Sequence, residues 1–167
     1  IIIDNTYAQP ADLNAAVSSG EVSLAVLPEP MVTVALSANE KLSAVLDLTA
    51  EWDNVAPAGS LVQGCVVVRT DFAKEHPAEL ACFLDEYGAS VEALSSDIQG
   101  SAEKIQETGI FAKAPVAAKA IPNCNVCFIT GTDMKSALST FLDIMYDVAP
   151  ASVGGAIPGD DFYCILG

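Results

Sequence analysis

The chain has 167 residues, of which 51% are hydrophobic and 17% charged, so it can bury a core and wholesale disorder is excluded. This length suits one domain, or one domain with an extension. The formal net charge is −15, which argues against nucleic acid and anionic membrane surfaces as partners. No apolar run reaches the length of about eighteen residues that a membrane span needs.

The first part of the chain alternates between short apolar runs and helical patterns. Helical patterns cover residues 11–18, closed by Gly20, and the residues from Met31 to Ala38. Strands alternating with helices are typical of a sheet with helices on both faces. We therefore predict an α/β fold with a small central sheet. Its predicted strands are residues 1–4, 22–27, 44–48 and 62–69.

From Thr70 onward the pattern is helical. Pro77 suits a first helical position, and apolar residues then follow the helical period as far as Leu94. Further helices are predicted over 97–108, over 115–120 and from a cap at Thr132 to Val148, and an irregular arm ends the chain. We expect an α/β ligand-binding lobe over residues 1–110 and a C-terminal helical extension with an irregular tail over 111–167.

The loop Pro28-Glu29-Pro30 lies between a predicted buried strand and a predicted helix. In open α/β sheets, ligands bind outside the carboxyl ends of strands, near the N–H groups of helix N-termini. Two prolines fix φ in this loop and stiffen it. We interpret Pro28, Glu29 and Pro30 as ligand-binding residues, with an ordinary strand-to-helix turn as the alternative.

The residues that most often carry catalysis or bind metals form no recognisable constellation. The pair Cys124-x-x-Cys127 precedes an apolar run rather than opening a helix, and no second ligand pair completes a zinc site. His76, the only histidine, precedes Pro77 and is interpreted as a capping or surface residue. The five cysteines are an odd number, and we predict free, mostly buried and inert thiols. We expect no catalytic residue, no metal and no cofactor.

Two phrases resemble the second half of ABC-transporter solute-binding proteins of the type II periplasmic-binding-protein-like group. They are GEVSLAVLPEPMVTVAL and VVVRTDFAKEHPAELACFLDEY, and Pro77, Phe83 and Leu84 match the helix that opens after the second strand of that group. The branch is the one that binds nitrate, sulfonate, taurine and thiamine precursors. The usual Asp of the first phrase is Ser23 here, and the chain has about half the length of a complete two-lobed receptor.

The resemblance implies the solute-binding component of an ABC importer, with this chain carrying one wall of the ligand cleft. Gln63 and Gly64 would offer an amide and an open backbone to that cleft. The implied partners are a small-molecule solute, the ABC permease subunits and the missing N-terminal lobe of the same protein. Ile1 is not an initiator Met, and we expect a membrane-tethered, extracytoplasmic lipoprotein whose leader lies outside this sequence. The alternatives are an enzyme of thiamine-precursor synthesis and the effector-binding domain of a transcription regulator, both on the same scaffold.

Overall fold

The computed structural model describes residues 3–166, and within them the regular secondary structure is entirely helical. None of the helices in the described part of the chain is both long and apolar enough to cross a membrane. The α-helices are α1 (Pro10–Ser19), α2 (Met31–Ala38), α3 (Leu48–Asp53), α4 (Thr70–Glu75), α5 (Pro77–Ser96), α6 (Ile98–Glu107), α7 (Ala114–Ala120) and α8 (Gly131–Val148). The described residues also form three short 3-10 turns, at Ile121–Asn123 after α7 and at Pro150–Val153 and Asp160–Phe162 after α8.

The predicted α/β fold is wrong for the described residues, because they contain no strand and therefore no sheet. Residues 22–27 and 62–69 have no regular secondary structure, and the run predicted as 44–48 leads into α3. Of the predicted strand 1–4, residues 1 and 2 lie outside the described residues. Apolar residues of these runs face solvent: Leu24 and Val67 are each 79% exposed. Strand propensity depends on cross-strand neighbours, and no described segment pairs with these runs.

The helix predictions are largely confirmed, because the signals that end a helix are local. Helix α1 ends at Gly20, which adopts the left-handed conformation with φ 82°. Helix α6 is capped by Asp97, whose side chain accepts a hydrogen bond from the Gly100 N–H at 2.9 Å. Helix α8 begins at Gly131, so its N-cap position is Thr130 rather than the predicted Thr132, and the Thr130 side chain makes no capping hydrogen bond.

The chain divides into two compact units, each made of two stretches of sequence. Unit 1 comprises Ile1–Val45 and Ala89–Cys127, and unit 2 comprises Leu46–Gly88 and Phe128–Gly167. Each unit therefore draws on both sides of the boundary predicted at residue 110.

Unit 1 is built on helices that pack through alanines. Helix α1 packs on α2, and α7 packs on both α6 and α2. Two amides join α1 to α2: Asn14 Nδ2 donates to the Met31 carbonyl at 2.6 Å, and Asn39 Nδ2 donates to the Ser18 carbonyl at 3.1 Å. These bonds fix the first residue of α2 and hence the loop before it. The alanines at the centre of the packing are Ala16, Ala35, Ala102, Ala117 and Ala120, none more than 5% exposed.

Unit 2 is organised around α8. Leu138 is buried, and the Phe141 ring lies 5.7 Å from that of Trp52, centroid to centroid. The C-terminal arm is irregular, as predicted, and it packs on this helix. Lys135 Nζ lies 2.8 Å from a carboxylate oxygen of Asp160 and 5.5 Å from the centre of the Tyr163 ring.

Candidate functional site

The Pro28–Pro30 loop of unit 1 leads directly into α2, as the sequence predicted, although no strand precedes it. The Pro28 carbonyl accepts hydrogen bonds from the Met31 and Val32 N–H groups at 2.8 and 3.2 Å, which closes the first turn of the helix. The peptide bond between Glu29 and Pro30 is cis. Glu29, the one charged residue of the loop, lies directly before the N-terminal end of α2.

The Glu29 carboxylate caps that helix. Its Oε2 accepts a hydrogen bond from the backbone N–H of Thr33 at 3.1 Å, and Thr33 is only 7% exposed. A carboxylate at a helix N-terminus satisfies a free amide and interacts favourably with the helix dipole. The sequence-based interpretation assigned this carboxylate to a ligand, whereas the structure shows one of its two oxygens bound to the helix.

The second carboxylate oxygen of Glu29 retains acceptor capacity. Oε1 makes no hydrogen bond to any residue that the structure describes. The side chain is only partly buried, so a solute can reach it. A carboxylate oxygen offers two lone pairs, which suit an ammonium, amine or amide donor. Glu29 can thus cap α2 and bind a ligand donor at the same time.

Cys124 lies in the same unit, directly after the 3-10 turn Ile121–Asn123, and it is electrostatically coupled to Glu29. Burial raises the pKa of the Cys124 thiol, and the negative charge of Glu29 raises it further. This shift keeps the thiol neutral, which is the opposite of what a redox dithiol needs. Neither Cys124 nor Cys127 forms a disulfide.

The remaining cysteines and the histidine lie at the surface. All five cysteines are free, as predicted, but four are exposed and only Cys124 is partly buried, so the expectation of mostly buried thiols is wrong. His76 follows α4 at its C-terminus, with Nδ1 3.5 Å from a Glu79 oxygen and its ring against Phe72. This placement fits the predicted capping or surface role. Among the described residues, no group of three or more His, Cys, Asp or Glu side chains is arranged to hold a metal.

Gln63 and Gly64 belong to unit 2, whereas the Pro-Glu-Pro loop belongs to unit 1. Both are exposed in an irregular segment, and the Gln63 amide makes no hydrogen bond to a described residue. Their assignment to the solute site stays a prediction from the resemblance.

Two concave surfaces were not predicted, because each combines segments that are distant in sequence. In unit 1, a mostly apolar groove of about 410 Å³ lies between the end of α5, the start of α6 and residues 121–126. In unit 2, an open cleft of about 240 Å³ lies between residues 57–60 and one face of α8. The hydrophobic periodicity of one segment predicts its secondary structure but not which distant segments it will lie beside, so it cannot predict such surfaces.

The chain is similar to a solved structure, the crystal structure of an ABC transporter from Parabacteroides distasonis. The two share 26% sequence identity, and the superposition has a TM-score of 0.83. The match covers 97% of this chain and 56% of the other, so the chain spans little more than half the length of that protein. No protein-family profile matches the chain. A search of curated proteins found no match either.

Proposed function

We propose that this chain is part of the solute-binding component of an ABC importer. The observation that carries the proposal is the likeness to a protein described as an ABC transporter, at a TM-score of 0.83 over 97% of this chain. The phrase Gly20–Leu36, with its LPEP loop, independently resembles solute-binding proteins of that system.

The chain contributes one wall of the solute site, and further polypeptide of the parent protein contributes the other. The share of 56% of the neighbour's length supports a parent of about twice this size. The parent works outside the cytoplasm, tethered to the membrane, and delivers its solute to the permease subunits. Its role is binding rather than catalysis. One wall leaves the solute in contact with water, so this chain alone binds it weakly, because association itself costs roughly 4–15 kcal/mol.

Glu29 is the ligand-binding residue that the geometry supports best. Its Oε1, which has no partner among the described residues, accepts a hydrogen bond from the solute, while Oε2 stays bound to the Thr33 N–H. The site therefore favours a solute that carries an amine or amide. A bare anion is opposed by the carboxylate and by the net charge of −15.

The test is calorimetric titration of the parent protein with a matched pair of solutes, taurine and ethanesulfonate, which differ by one ammonium group. An aminopyrimidine thiamine precursor is the third probe and nitrate the fourth. We expect binding of taurine or of the aminopyrimidine, and none of ethanesulfonate or nitrate. Glu29→Gln should weaken that binding by about 1.5–3 kcal/mol, the range for hydrogen bonds to charged groups.

The control is Glu40→Gln, a change of charge at an exposed position of the same unit. It should leave binding unchanged. Binding of the anions alone would refute the role of Glu29 but keep a solute receptor. Failure of all four probes to bind the parent would refute the proposal for this branch of receptors.

A further inference from the structure

The open cleft of unit 2 brings hydroxyl groups from two elements together. One wall is the turn formed by residues 57–60, and the other is one face of α8. Asp133, Ser136 and Thr140 lie three and four residues apart, a spacing that places them on the same helix face. The space between the walls, about 240 Å³, is open to solvent.

Ser60 supplies the buried polar group of the cleft. The residue is 3% exposed, and its Oγ accepts a hydrogen bond from Trp52 Nε1 at 2.9 Å. The hydroxyl proton of Ser60 has no acceptor among the described residues. Buried hydroxyls are normally hydrogen-bonded, and a serine can donate as well as accept. Ser60 therefore has a donor left for a molecule in the cleft.

The opposite wall has unused hydrogen-bonding capacity as well. Neither the Ser136 and Thr140 hydroxyls nor the Asp133 carboxylate forms a side-chain hydrogen bond or ion pair with a described residue. Pro57 and Ala137 add apolar surface between these groups. The cleft thus offers three hydroxyls and one carboxylate around apolar patches.

We propose that this cleft binds a small polyol or a monosaccharide. Hydroxyls of the ligand both donate and accept, so they can pair with the Ser60 donor and with the Asp133 acceptor at once. The C–H faces of such a molecule fit the apolar patches. The volume of about 240 Å³ lies below the range of about 300–1,000 Å³ that is usual for drug-sized ligands, so the cleft suits a small molecule.

Other ligand classes match these groups less well. An ammonium ion has only donors and would leave the Ser60 proton without an acceptor. An anion would be repelled by Asp133. Among the described residues that line the cleft there is a single carboxylate and no His or Cys, which is not the ligand set of a metal site.

The single tryptophan of the chain reports on this cleft directly, because its indole N–H is bonded to Ser60. We suggest titrating the 167-residue chain with D-glucose and glycerol while following the indole N–H signal of Trp52 by nuclear magnetic resonance and its fluorescence. Ethylammonium chloride and sodium acetate serve as the cationic and anionic probes. The proposal expects a saturable response to glucose or glycerol and none to either salt.

Two variants test the wall that α8 provides. Thr140→Val keeps the shape of the side chain and removes its hydroxyl, and Ser136→Ala removes a hydroxyl at an exposed position. Each should weaken the polyol about 2- to 10-fold, the loss of one hydrogen bond. The control Thr132→Val lies on α8 outside the cleft lining and should change nothing. Circular dichroism establishes that each variant is folded.

The proposal is overturned by a response to polyols that stays linear and does not saturate. It is also overturned by equal responses in the wild type and in both cleft variants. A saturable response to ethylammonium or acetate alone would replace the polyol with a charged ligand and so refute the assignment.

Discussion

The cap that Glu29 forms on α2 gives the most direct test of the structure. In Glu29→Ala the Thr33 N–H loses its partner at 3.1 Å, and because Thr33 is 7% exposed, water does not readily replace it. In Glu29→Gln an amide oxygen can take the place of Oε2, so the hydrogen bond survives and only the charge is lost. The two variants therefore separate the hydrogen bond from the charge.

The expected magnitudes follow from these two contributions. Loss of a cap costs about 0.5–2 kcal/mol, and an unpaired buried amide costs about 1–3 kcal/mol. The two figures describe the same lost bond and overlap, so we expect Glu29→Ala to lower the free energy of unfolding by about 1–2 kcal/mol. The charge at the helix N-terminus contributes roughly 0.3–1 kcal/mol, which is the cost that we expect for Glu29→Gln.

The assay is urea unfolding of the chain followed by far-ultraviolet circular dichroism. With a slope of about 1–3 kcal/mol per molar urea, a loss of about 1–2 kcal/mol in Glu29→Ala should lower the midpoint by roughly 0.3–2 M. Glu40→Ala, at an exposed position, is the matched control. The capping role is refuted if Glu29→Ala unfolds at the same urea midpoint as that control. It is also refuted if Glu29→Gln lowers the free energy of unfolding as much as Glu29→Ala does.

The thiols and the C-terminal arm provide two further predictions. A thiol titration without reductant should count all five cysteines after denaturation. In the folded chain, Cys124 should react more slowly than the other four cysteines, because burial and the charge of Glu29 raise the pKa of its thiol. Fast reaction at Cys124 would contradict this. The hydrogen bond from Lys135 lowers the pKa of Asp160 below its ordinary value of 3.8. The contact therefore stabilises the fold fully at pH values above 3.8, and this stabilisation is lost as the pH falls through the lowered pKa. The urea midpoint of Lys135→Gln should therefore lie below that of the wild type at neutral pH and converge with it in acid, and a difference that persisted in acid would exclude the pair as its cause.

Helix positions could be predicted because their signals lie within a few residues of one another. Gly20 ends α1 since only glycine adopts its left-handed conformation at low cost. Pro77 begins α5 since a first helical position needs no N–H. In both cases the residue type determines the local backbone conformation without help from the rest of the fold.

Helix α3 was missed although the sequence contains its signal. Asp47 Oδ1 accepts hydrogen bonds from the Thr49 and Ala50 N–H groups at 2.9 and 3.4 Å, a normal N-cap arrangement. The apolar residues Val45, Leu46 and Leu48 favoured a strand over residues 44–48, which shares only Leu48 with α3. They are at least 50% exposed in the structure, so their apolar character does not reflect burial.

The strand predictions were wrong for a different physical reason. A helix forms its backbone hydrogen bonds within one segment, whereas a strand needs a partner elsewhere. The runs 22–27 and 62–69 have the composition of strands, but composition carries no information on whether a partner is present. Their exposed side chains, such as Val26 at 72%, are consistent with the absence of such a partner among the described residues.

In the candidate site too, features that depend on neighbouring residues could be predicted, whereas contacts between residues distant in sequence could not. The position of the Pro-Glu-Pro loop before α2 followed from residues that are adjacent in sequence. The hydrogen bond from the Thr33 N–H to Glu29 could also be predicted from the local sequence, because a carboxylate four residues before a helical N–H is a plausible cap. The sequence-based interpretation assigned Glu29 to a ligand instead. The contact between Trp52 and Ser60 depends on a turn that brings residues eight apart together, and no periodic pattern encodes it.

The two roles of Glu29 need not exclude each other, because they use different oxygens. Binding of Oε2 to the Thr33 N–H fixes the side chain, so little rotational freedom remains to be lost when a solute binds Oε1. Glu29→Gln should then weaken solute binding more than it destabilises the fold, since the ligand bond depends on the charge and the cap depends mainly on the oxygen. Glu29→Ala should reduce both. If binding and stability fell in the same proportion in both variants, the carboxylate would be a helix cap alone, and the solute contact would have to be made elsewhere.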